Sequence, residues 1–404
     1  MFLLYNKLNI INLVSKSLER RLLFMIEIKQ VTTKRQLKKF IQFPVKLLNH
    51  IEAFTPYIYE DEMDNLRPKT NPAFSYCDVR LFLAYKDGKI VGRIAAILNH
   101  RTNEKYNEKR IRFNRIDMID DFEVTKALIK AVADFGKQFG MEEIVGPLGF
   151  NDQDKEGLLI AGFEYHNMFV TFYHPPYYVE HFRKLGFVED AIWNEYRIEI
   201  PKEVPPRLSK LANFTKRTTG VKLLEFKNKR YLKKHQRRYI LEALELVDLA
   251  YADLYGYIPN NPEQLEVLVD QYIPLVDLDF VSIIVDENDK VIAMGLMIPT
   301  PVFALKKHNG KLLPFGVFSV LRALKKSDVL DMLLVAVHPD YQKTGVITLI
   351  FERSIENAIK RGIRYAETGP ELVTNVDMTS LWKHMNPNQH KKRAAFIAPI
   401  TLLD

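Results

Sequence analysis

Cysteine is nearly absent from this sequence of 404 residues, and long apolar runs are missing altogether. The single cysteine, Cys77, excludes an internal disulfide and is typical of a reducing compartment. No apolar run approaches the roughly 20 residues that a membrane-spanning helix needs. These absences predict a cytoplasmic protein without a membrane span, in which Cys77 is a small buried hydrophobe.

Familiar catalytic and metal-binding patterns are missing as well. The sequence shows no Ser-His-Asp order, no Walker loop and no dinucleotide fingerprint. His384 and His390 flank Pro387 without Cys or His partners, which does not indicate a zinc site. The sequence therefore predicts no metal cofactor.

Length and composition are those of an ordinary globular protein of more than one domain. Apolar residues make up 47% of the chain and charged residues 27%. A chain of 404 residues is too long for one ordinary core, so two domains are expected.

Positive charge is concentrated in one segment. The net charge is +8, and residues 207–240 contain twelve Lys or Arg and a single acid, Glu225. A solvated linker and helix face is the favoured interpretation. The alternative is a surface for a polyanion such as RNA, nucleotide phosphates or anionic lipid.

The most informative stretch is 329–375, where strand, loop, helix and strand follow one another without a gap. Met332–Val337 is a continuous apolar run, typical of a strand buried on both faces. Pro339 interrupts the strand. The next residues show apolar positions at helical spacing up to Gly362, which predicts the helix end. A second strand is predicted at 364–368.

This order resembles the core of the GNAT superfamily of N-acyltransferases. In that family a [Q/R]-x-x-G-x-[G/A] loop and the following helix N-terminus hold the pyrophosphate of acetyl-CoA, because free N–H groups and the positive helix end favour an anion. Gln342 and Gly345 match the loop, and Ile347 stands where the family has Gly or Ala. The resemblance implies acetyl-CoA or another acyl-CoA as the donor and an amine as the acceptor.

The resemblance also assigns roles to individual residues. The pyrophosphate contacts would come from Gln342, Lys343, Thr344, Gly345 and Val346, the pairing with the pantetheine amides from Val335 and Val337, and a contact to the cofactor arm from Asn375. Asn375 has an alternative role as the N-cap of the following helix. Transfer to an amine needs a proton acceptor, and Glu367 at the strand end is the candidate base. An ordinary hydrogen-bonded strand-end residue is the alternative interpretation of Glu367.

The same order of elements occurs twice. Strand, two helices, hairpin, strand, helix, strand, helix, strand is the GNAT order, and residues 144–147 echo residues 366–370. The chain thus resembles a family of bacterial proteins with two GNAT-like domains in tandem, an α/β fold built on mixed sheets. The expected division is an extension at 1–24, disordered or loosely docked, an N-terminal domain at 25–200, a basic linker at 201–220 and a C-terminal domain at 221–404.

The two copies differ where the cofactor loop belongs. In the first copy the strand continues into Asp120-Asp121-Phe122-Glu123, which contains no glycine and no basic residue. Acids at a helix N-terminus suit the dipole and repel a pyrophosphate. CoA binding is therefore predicted for the second copy only.

A second acidic segment is a candidate for the acceptor. Asn151-Asp-Gln-Asp-Lys-Glu156 contains three acids in six residues but lacks the glycine and spacing of a calcium loop. A turn and helix start is one interpretation. Its position after a strand of the first copy makes it a candidate pocket for the acceptor amine.

Three functions remain open from the sequence. The first is an acyl-CoA-dependent N-acyltransferase with its acceptor between the halves. The second is a Fem-type peptidyltransferase that takes amino acids from tRNA held by the basic segment. The third is a non-catalytic binding protein, because Ile347 replaces a small residue and no tyrosine follows Tyr365 to protonate the leaving thiolate.

Overall fold

The computed structural model describes residues 26–273, 275–375, 378, 381–382 and 385–404. The predicted extension at 1–24 lies outside these residues. The elements of the first half are β1 (Glu27–Gln30), α1 (Lys34–Leu48), α2 (Tyr59–Asn65), β2 (Cys77–Lys86), β3 (Lys89–Asn99), α3 (His100–Tyr106), β4 (Arg110–Met118), α4 (Phe122–Lys137), β5 (Glu143–Gly146), β6 (Leu158–Ala161), α5 (Pro176–Leu185) and β7 (Val188–Glu199).

The second half has a similar order with more helices: one before β8, three between β8 and β9, and two between β10 and β11. Its elements are α6 (Pro206–Thr219), β8 (Lys222–Leu223), α7 (Lys229–His235), α8 (Arg237–Ala250), α9 (Pro262–Tyr272), β9 (Val281–Val285), β10 (Val291–Pro299), α10 (Val302–Lys307), α11 (Gly316–Lys326), β11 (Val329–Val337), α12 (Ile347–Arg361), β12 (Tyr365–Thr368), β13 (Glu371–Leu372) and β14 (Asn388–Pro399). The predicted α/β class and the duplication are confirmed.

One mixed sheet runs through both halves. Its strand order is β1-β2-β3-β4-β5-β14-β7-β12-β11-β10-β9-β8. The closing strands are exchanged: β7 of the first half pairs with β12, and β14 of the second half pairs with β5. The sheet therefore continues across the predicted boundary at residue 200. The boundary between the two domains at residue 200 stays a prediction.

The segment predicted as a basic linker contains a helix. Pro206 at the first helical turn and Gly220 in a left-handed conformation bound α6. Ala212 is buried against the core of the second half. The strand that follows α6 is short, since β8 pairs with β9 only at Lys222 and Leu223.

The insertion between β10 and β11 is structured. It forms α10 and α11, joined by a turn that contacts the first half. The N–H of Tyr59 donates to the carbonyl of Gly310 at 2.8 Å. The N–H of Leu312 donates to the carboxylate of Glu60 at 3.0 Å.

The exchanged strands carry a buried group of ions. Glu195 on β7 lies 2.6 Å from Arg393 and 3.0 Å from Lys391, both on β14. Burial would raise the pKa of Glu195, but the charges of Arg393 and Lys391 outweigh it and hold the pKa below its usual range. The three side chains bind the closing strands of the two halves to each other.

Candidate active site

The parallel pairing of β11 with β12 ends early, and a space opens beyond it. The pairing reaches Met332 opposite Thr368. The N–H of Gly369 then donates to the carbonyl of Met332 at 3.1 Å. In the described part of the chain β11 continues to Val337 with no further pairing to β12. The strands therefore diverge, which leaves room for a ligand between them.

We call this space the cleft; its volume is about 160 Å³. Its walls come from both halves of the molecule: β11, the turn after β12, the end of α8 and an acidic segment of the first half. Residues of these elements that line it include Leu333, Leu334, Val335, Gly369, Pro370, Glu371, Asn375, Tyr251, Asp152 and Glu156.

The loop before α12 leaves backbone donors free. No acceptor among the described residues takes a hydrogen bond from the N–H of Gly345, Val346 or Ile347. Gly345 has a φ of +85°, a conformation that favours glycine. The side chain of Ile347 packs against the core of the second half. The N-terminus of α12 thus offers N–H groups to an anion, while the phosphate roles of Gln342 and the residues after it stay predictions.

Helix α6 lies beside this loop. The hydroxyl of Thr215 donates to the carbonyl of Thr344 at 3.3 Å, and Lys216 lies 3.4 Å from Glu352 on α12. The basic segment predicted to hold a polyanion therefore begins next to the predicted phosphate loop. Binding of RNA by residues 207–240 stays a prediction.

Of the three residues predicted to contact the cofactor arm, Val335 and Asn375 line the cleft and Val337 does not. The carbonyl of Val335 accepts a hydrogen bond from the hydroxyl of Tyr251 at 3.1 Å. The carbonyl of Val337 accepts one from the side-chain amide of Gln342 at 3.5 Å. Asn375 accepts from the N–H of Met378 at 3.3 Å, which fits the N-cap alternative, and it also lines the cleft.

Glu367 lies in the buried ion group behind the cleft. Its carboxylate lies 2.7 Å from Arg197, 3.2 Å from Lys391 and 3.5 Å from His390. Burial would raise the pKa of Glu367, but the hydrogen bond from His390 and the positive charges around it outweigh burial and hold the pKa below the usual range. These contacts weaken Glu367 as a proton acceptor. Its role as the base stays a prediction.

Two acids of the first half line the cleft instead. Asp152 and Glu156, which we call the carboxylate pair, belong to the segment considered for the acceptor amine. This segment is fixed to β4, because the carbonyl of Lys155 accepts from Asn114 at 2.9 Å and Asp154 lies 2.9 Å from Arg115. The carboxylate pair is therefore held in place by its neighbours in the chain.

Burial makes both acids of the carboxylate pair harder to ionise than ordinary carboxyl groups. Burial, with a smaller effect of Asp248, raises the pKa of Asp152 to about 7. Burial and the charges of Asp152 and Asp154 raise the pKa of Glu156 well above its usual value, against the effect of Arg112. Within the described residues, Oδ1 of Asp152 is buried and has no hydrogen-bond partner. Such a group is a candidate for proton transfer.

Tyr251 was not predicted as a functional residue. The tyrosine of the family was expected after Tyr365, whereas Tyr251 follows α8 and reaches the cleft from the opposite wall. Burial raises the pKa of its hydroxyl to about 12. The sequence feature that could have indicated Tyr251 is the local cluster of Tyr251, Tyr255 and Tyr257, whose spacing is not explained by the apolar periodicity of a helix or strand.

A larger, mostly apolar space adjoins the cleft. This apolar cavity has a volume of about 300 Å³ and shares Asp152, Tyr251 and Leu334 with the cleft. The remaining walls come from α7, α8, α9, β9 and β10 and carry Leu232, Ile240, Ala243, Leu244, Leu268, Val269, Val281, Ile283, Met294 and Leu296. A hydrocarbon chain fits such walls.

The equivalent position of the first half is filled by the protein itself. The N–H of Met118 donates to the hydroxyl of Tyr178 at 3.0 Å, and its carbonyl accepts from Tyr177 at 2.6 Å. Asp121 caps α4 by accepting from the N–H of Glu123 and pairs with Lys86. These contacts favour the prediction that the first half does not bind CoA.

Neither a metal-binding cluster nor a membrane-spanning helix occurs among the residues that the structure describes. Across the ranges that the structure describes, no group of three or more His, Cys, Asp or Glu is arranged to hold a metal ion. No helix in those ranges has the length and apolar character required to cross a membrane.

Two relatives match most of the chain. Protein YghO of Escherichia coli K12 is 28% identical over 369 residues, which cover 89% of this chain and 92% of YghO. A protein named bacterial ceramide synthase, from Caulobacter vibrioides, is 28% identical over 303 residues, which cover 74% of this chain and 76% of the relative. No protein-family model matches the chain.

Solved structures share the fold at low identity. A tandem GNAT protein from the clavulanic acid biosynthesis pathway superposes with a TM-score of 0.53 at 9% identity, covering 93% of this chain and 99% of that one. A GCN5-related glucosamine N-acetyltransferase region of a fungal multi-domain protein gives 0.54 at 14% identity, covering 93% of this chain and 38% of that one. The predicted resemblance is confirmed: the chain has the tandem GNAT fold, the fold of an acyltransferase superfamily.

The raised pKa of Asp152 predicts a stability that depends on pH. In the unfolded chain this carboxyl ionises near 3.8, and in the folded protein at about 7. Between these values the folded state holds a proton that the unfolded state has lost, so its contribution to stability is lost as pH rises. Asp152→Asn removes this effect. The free energy of unfolding of this variant, relative to that of the wild type, should therefore increase by up to about 3 kcal/mol from pH 5 to pH 8.

Urea unfolding at several pH values measures this difference. The control is Asp253→Asn, which changes an exposed acid nearby and should leave the pH dependence as it is. If the free energies of unfolding of Asp152→Asn and the wild type differ by the same amount at pH 5 and pH 8, the raised pKa of Asp152 is contradicted.

Proposed function

We propose that this protein is a cytoplasmic N-acyltransferase that moves an acyl group from acyl-CoA to a primary amine. The donor binds to the second half, and the amine meets it at the cleft. Two observations carry the proposal: the cleft, where β11 diverges from β12 and the carboxylate pair lines the wall, and the free N–H groups of the loop that follows β11.

The donor follows β11 from α12 towards the turn at Gly369. Its pyrophosphate accepts from the N–H groups of Gly345 and Val346, with Lys343 as a nearby exposed cation. Its pantetheine arm extends along the unpaired edge of β11, past Val335. The hydroxyl of Tyr251, which now donates to that carbonyl, is released when the arm takes its place.

Acyl transfer needs the amine as a neutral nucleophile. The carboxylate pair accepts the proton of the ammonium group, for which the pKa of Asp152 at about 7 is well matched. The amine nitrogen then attacks the thioester carbonyl carbon, and the C–S bond breaks. Tyr251 gives its proton to the leaving thiolate, and the proton that the nitrogen loses as the amide forms restores the Tyr251 hydroxyl. Tyr251, which follows α8, thus supplies the proton donor for which the sequence offered no candidate.

The apolar cavity suggests substrates that carry a hydrocarbon chain. It opens beside Leu333 and Leu334, close to where the thioester would lie, and most of its wall is apolar, while its charged residues come from the acidic segment and from α7. One relative is named a ceramide synthase. We infer that a long acyl group of the donor, or the tail of a lipid amine, occupies this cavity.

Donor binding is tested by reversing a charge at the loop. Lys343→Glu should weaken binding of acetyl-CoA by about tenfold or more, because a carboxylate replaces a cation beside the pyrophosphate. Gly345→Glu should abolish it. Both tryptophans, Trp193 and Trp382, line the cleft, so fluorescence quenching measures binding directly.

Lys360→Glu is the control for this test. It makes the same charge change at the exposed far end of α12 and should bind acetyl-CoA as the wild type does. Because Gly345 has positive φ, Gly345→Ala separates backbone strain from charge. Undiminished binding by both Lys343→Glu and Gly345→Glu would exclude this donor site.

The identity of the base is tested by amide substitutions. Asp152→Asn and Glu156→Gln should lower kcat by about 10²- to 10⁴-fold, the usual contribution of a general base, while acyl-CoA binding is kept. Glu367→Gln should lower the free energy of unfolding instead, because it removes the carboxylate that pairs with Arg197 and one of the two carboxylates that pair with buried Lys391. The opposite result, full activity in both first variants and none in a folded Glu367→Gln, would assign the base to Glu367.

The apolar cavity is tested by filling it. Leu244→Trp should reduce transfer of a sixteen-carbon acyl group by about tenfold relative to acetyl, since the added ring occupies space that the chain needs. Leu249→Trp, at an exposed position of the same helix, is the control. Varying chain length separately on donor and acceptor shows which substrate uses the cavity, and an unchanged preference on both sides would refute the inference.

A further inference from the structure

The insertion that forms α10 and α11 exposes an unusual number of large apolar side chains. Of thirteen exposed large hydrophobic residues in the described chain, five lie between residues 303 and 321. They are Phe303, Leu313, Phe315, Phe318 and Leu321. Phe315 is 71% exposed and Phe318 67%. Scattered surface hydrophobics are ordinary, but a cluster of this kind indicates a binding surface.

Helix α11 has apolar residues on two sides. Gly316, Val320 and Leu324 are its buried residues, and the latter two pack into a core cluster with the first half. At 3.6 residues per turn, Phe318 projects from the opposite side of the helix and Leu321 from its flank. The inner side accounts for the folding of the insertion. The outer side makes no contribution to that core.

The same segment carries only positive charge. Residues 301–327 contain six Lys or Arg and no Asp or Glu. Five of these cations are exposed, and no acid in the described residues forms an ion pair with any of them. They are Lys307, Lys311, Arg322, Lys325 and Lys326. Together with the five apolar side chains they form what we call the basic apolar surface.

The basic apolar surface is held firmly on the first half. Besides the contacts of Gly310 and Leu312, Nε2 of His308 lies 2.7 Å from the hydroxyl of Ser319, which joins α10 to α11. Lys306 donates to the carbonyl of Ile51 at 3.2 Å. The exposed side chains therefore stand on a fixed support, which lowers the entropy lost when they bind.

We propose that the basic apolar surface docks on an anionic lipid bilayer. Phe and Leu side chains enter the boundary between head groups and acyl chains, while the surrounding Lys and Arg contact lipid phosphates. A second copy of this chain fits poorly as the occupant, because two surfaces without a single acid repel each other. The excess of protruding aliphatic and aromatic groups favours a bilayer over other polyanions.

Docking would place the apolar cavity close to the lipid. The residues packed against α10 and α11 include Val170, Leu296 and Leu333, and these three also line the apolar cavity. The proposal does not depend on the proposed function, since binding to vesicles is measured without any substrate.

Vesicle sedimentation with the full-length protein is the first test. We expect the protein to bind vesicles of equal parts phosphatidylglycerol and phosphatidylcholine, and to bind pure phosphatidylcholine weakly. Binding should weaken as salt is raised, because exposed charges are screened. Failure to bind the anionic vesicles at low salt would overturn the proposal.

A pair of apolar variants locates the surface. Phe315→Ser combined with Phe318→Ser should lower the partition coefficient by about tenfold or more, since two inserted rings are lost. Phe214→Ser is the matched control, because Phe214 is 63% exposed but lies on α6, and it should bind as the wild type does. Circular dichroism and melting temperature confirm that each variant is folded.

A set of charge variants tests the lipid preference. Arg322→Gln, Lys325→Gln and Lys326→Gln together should reduce the preference for anionic vesicles. The same change at Lys227, Arg230 and Lys234 of the basic segment removes as much charge elsewhere and should have little effect.

Two outcomes would refute the assignment. One is loss of vesicle binding only in the variant of the basic segment. The other is light scattering that shows a wild-type dimer converted to a monomer by the Phe315 and Phe318 substitutions, which would make the surface an interface between copies.

Discussion

The pairing of β7 with β14 is the contact on which the rest of the architecture depends. Each strand closes the sheet of the other half, and Glu195 with Lys391 and Arg393 binds them at the centre. Removing Glu195 would leave the buried guanidinium of Arg393 without its carboxylate, which is strongly unfavourable. The relative position of the two halves, and therefore the shape of the cleft between them, follows from this pairing.

The two copies of the fold have different tasks within one site. In the first, Tyr177 and Tyr178 occupy the backbone edge that the second leaves open. The first copy instead brings Asp152 and Glu156 to the cleft of the second. Under the proposed function, one copy holds the donor and the other supplies the proton acceptor, so neither half is a complete enzyme.

The sequence predicted the fold well because periodicity and turn residues are local signals. The apolar run of β11, Gly362 and the Asp-Gly turn at residues 87–88 each mark their element without tertiary information. The exchange of β7 and β14 was not predicted, because strand pairing between distant segments leaves no trace in local pattern. Tyr251 was not predicted for the same reason, because its contact with β11 joins distant segments of the chain. For Glu367, burial was foreseeable, but its partners Arg197, His390 and Lys391 come from β7 and β14.

The separation of β5 and β14 along the chain has a consequence for biosynthesis. During translation β5 lacks its native neighbour on one edge until residues 388–399 have left the ribosome. An open strand edge is a template for pairing with other chains. The sheet of the first half is thus closed only after the second half has been synthesised, and until then its open edge is a site at which nascent chains can associate.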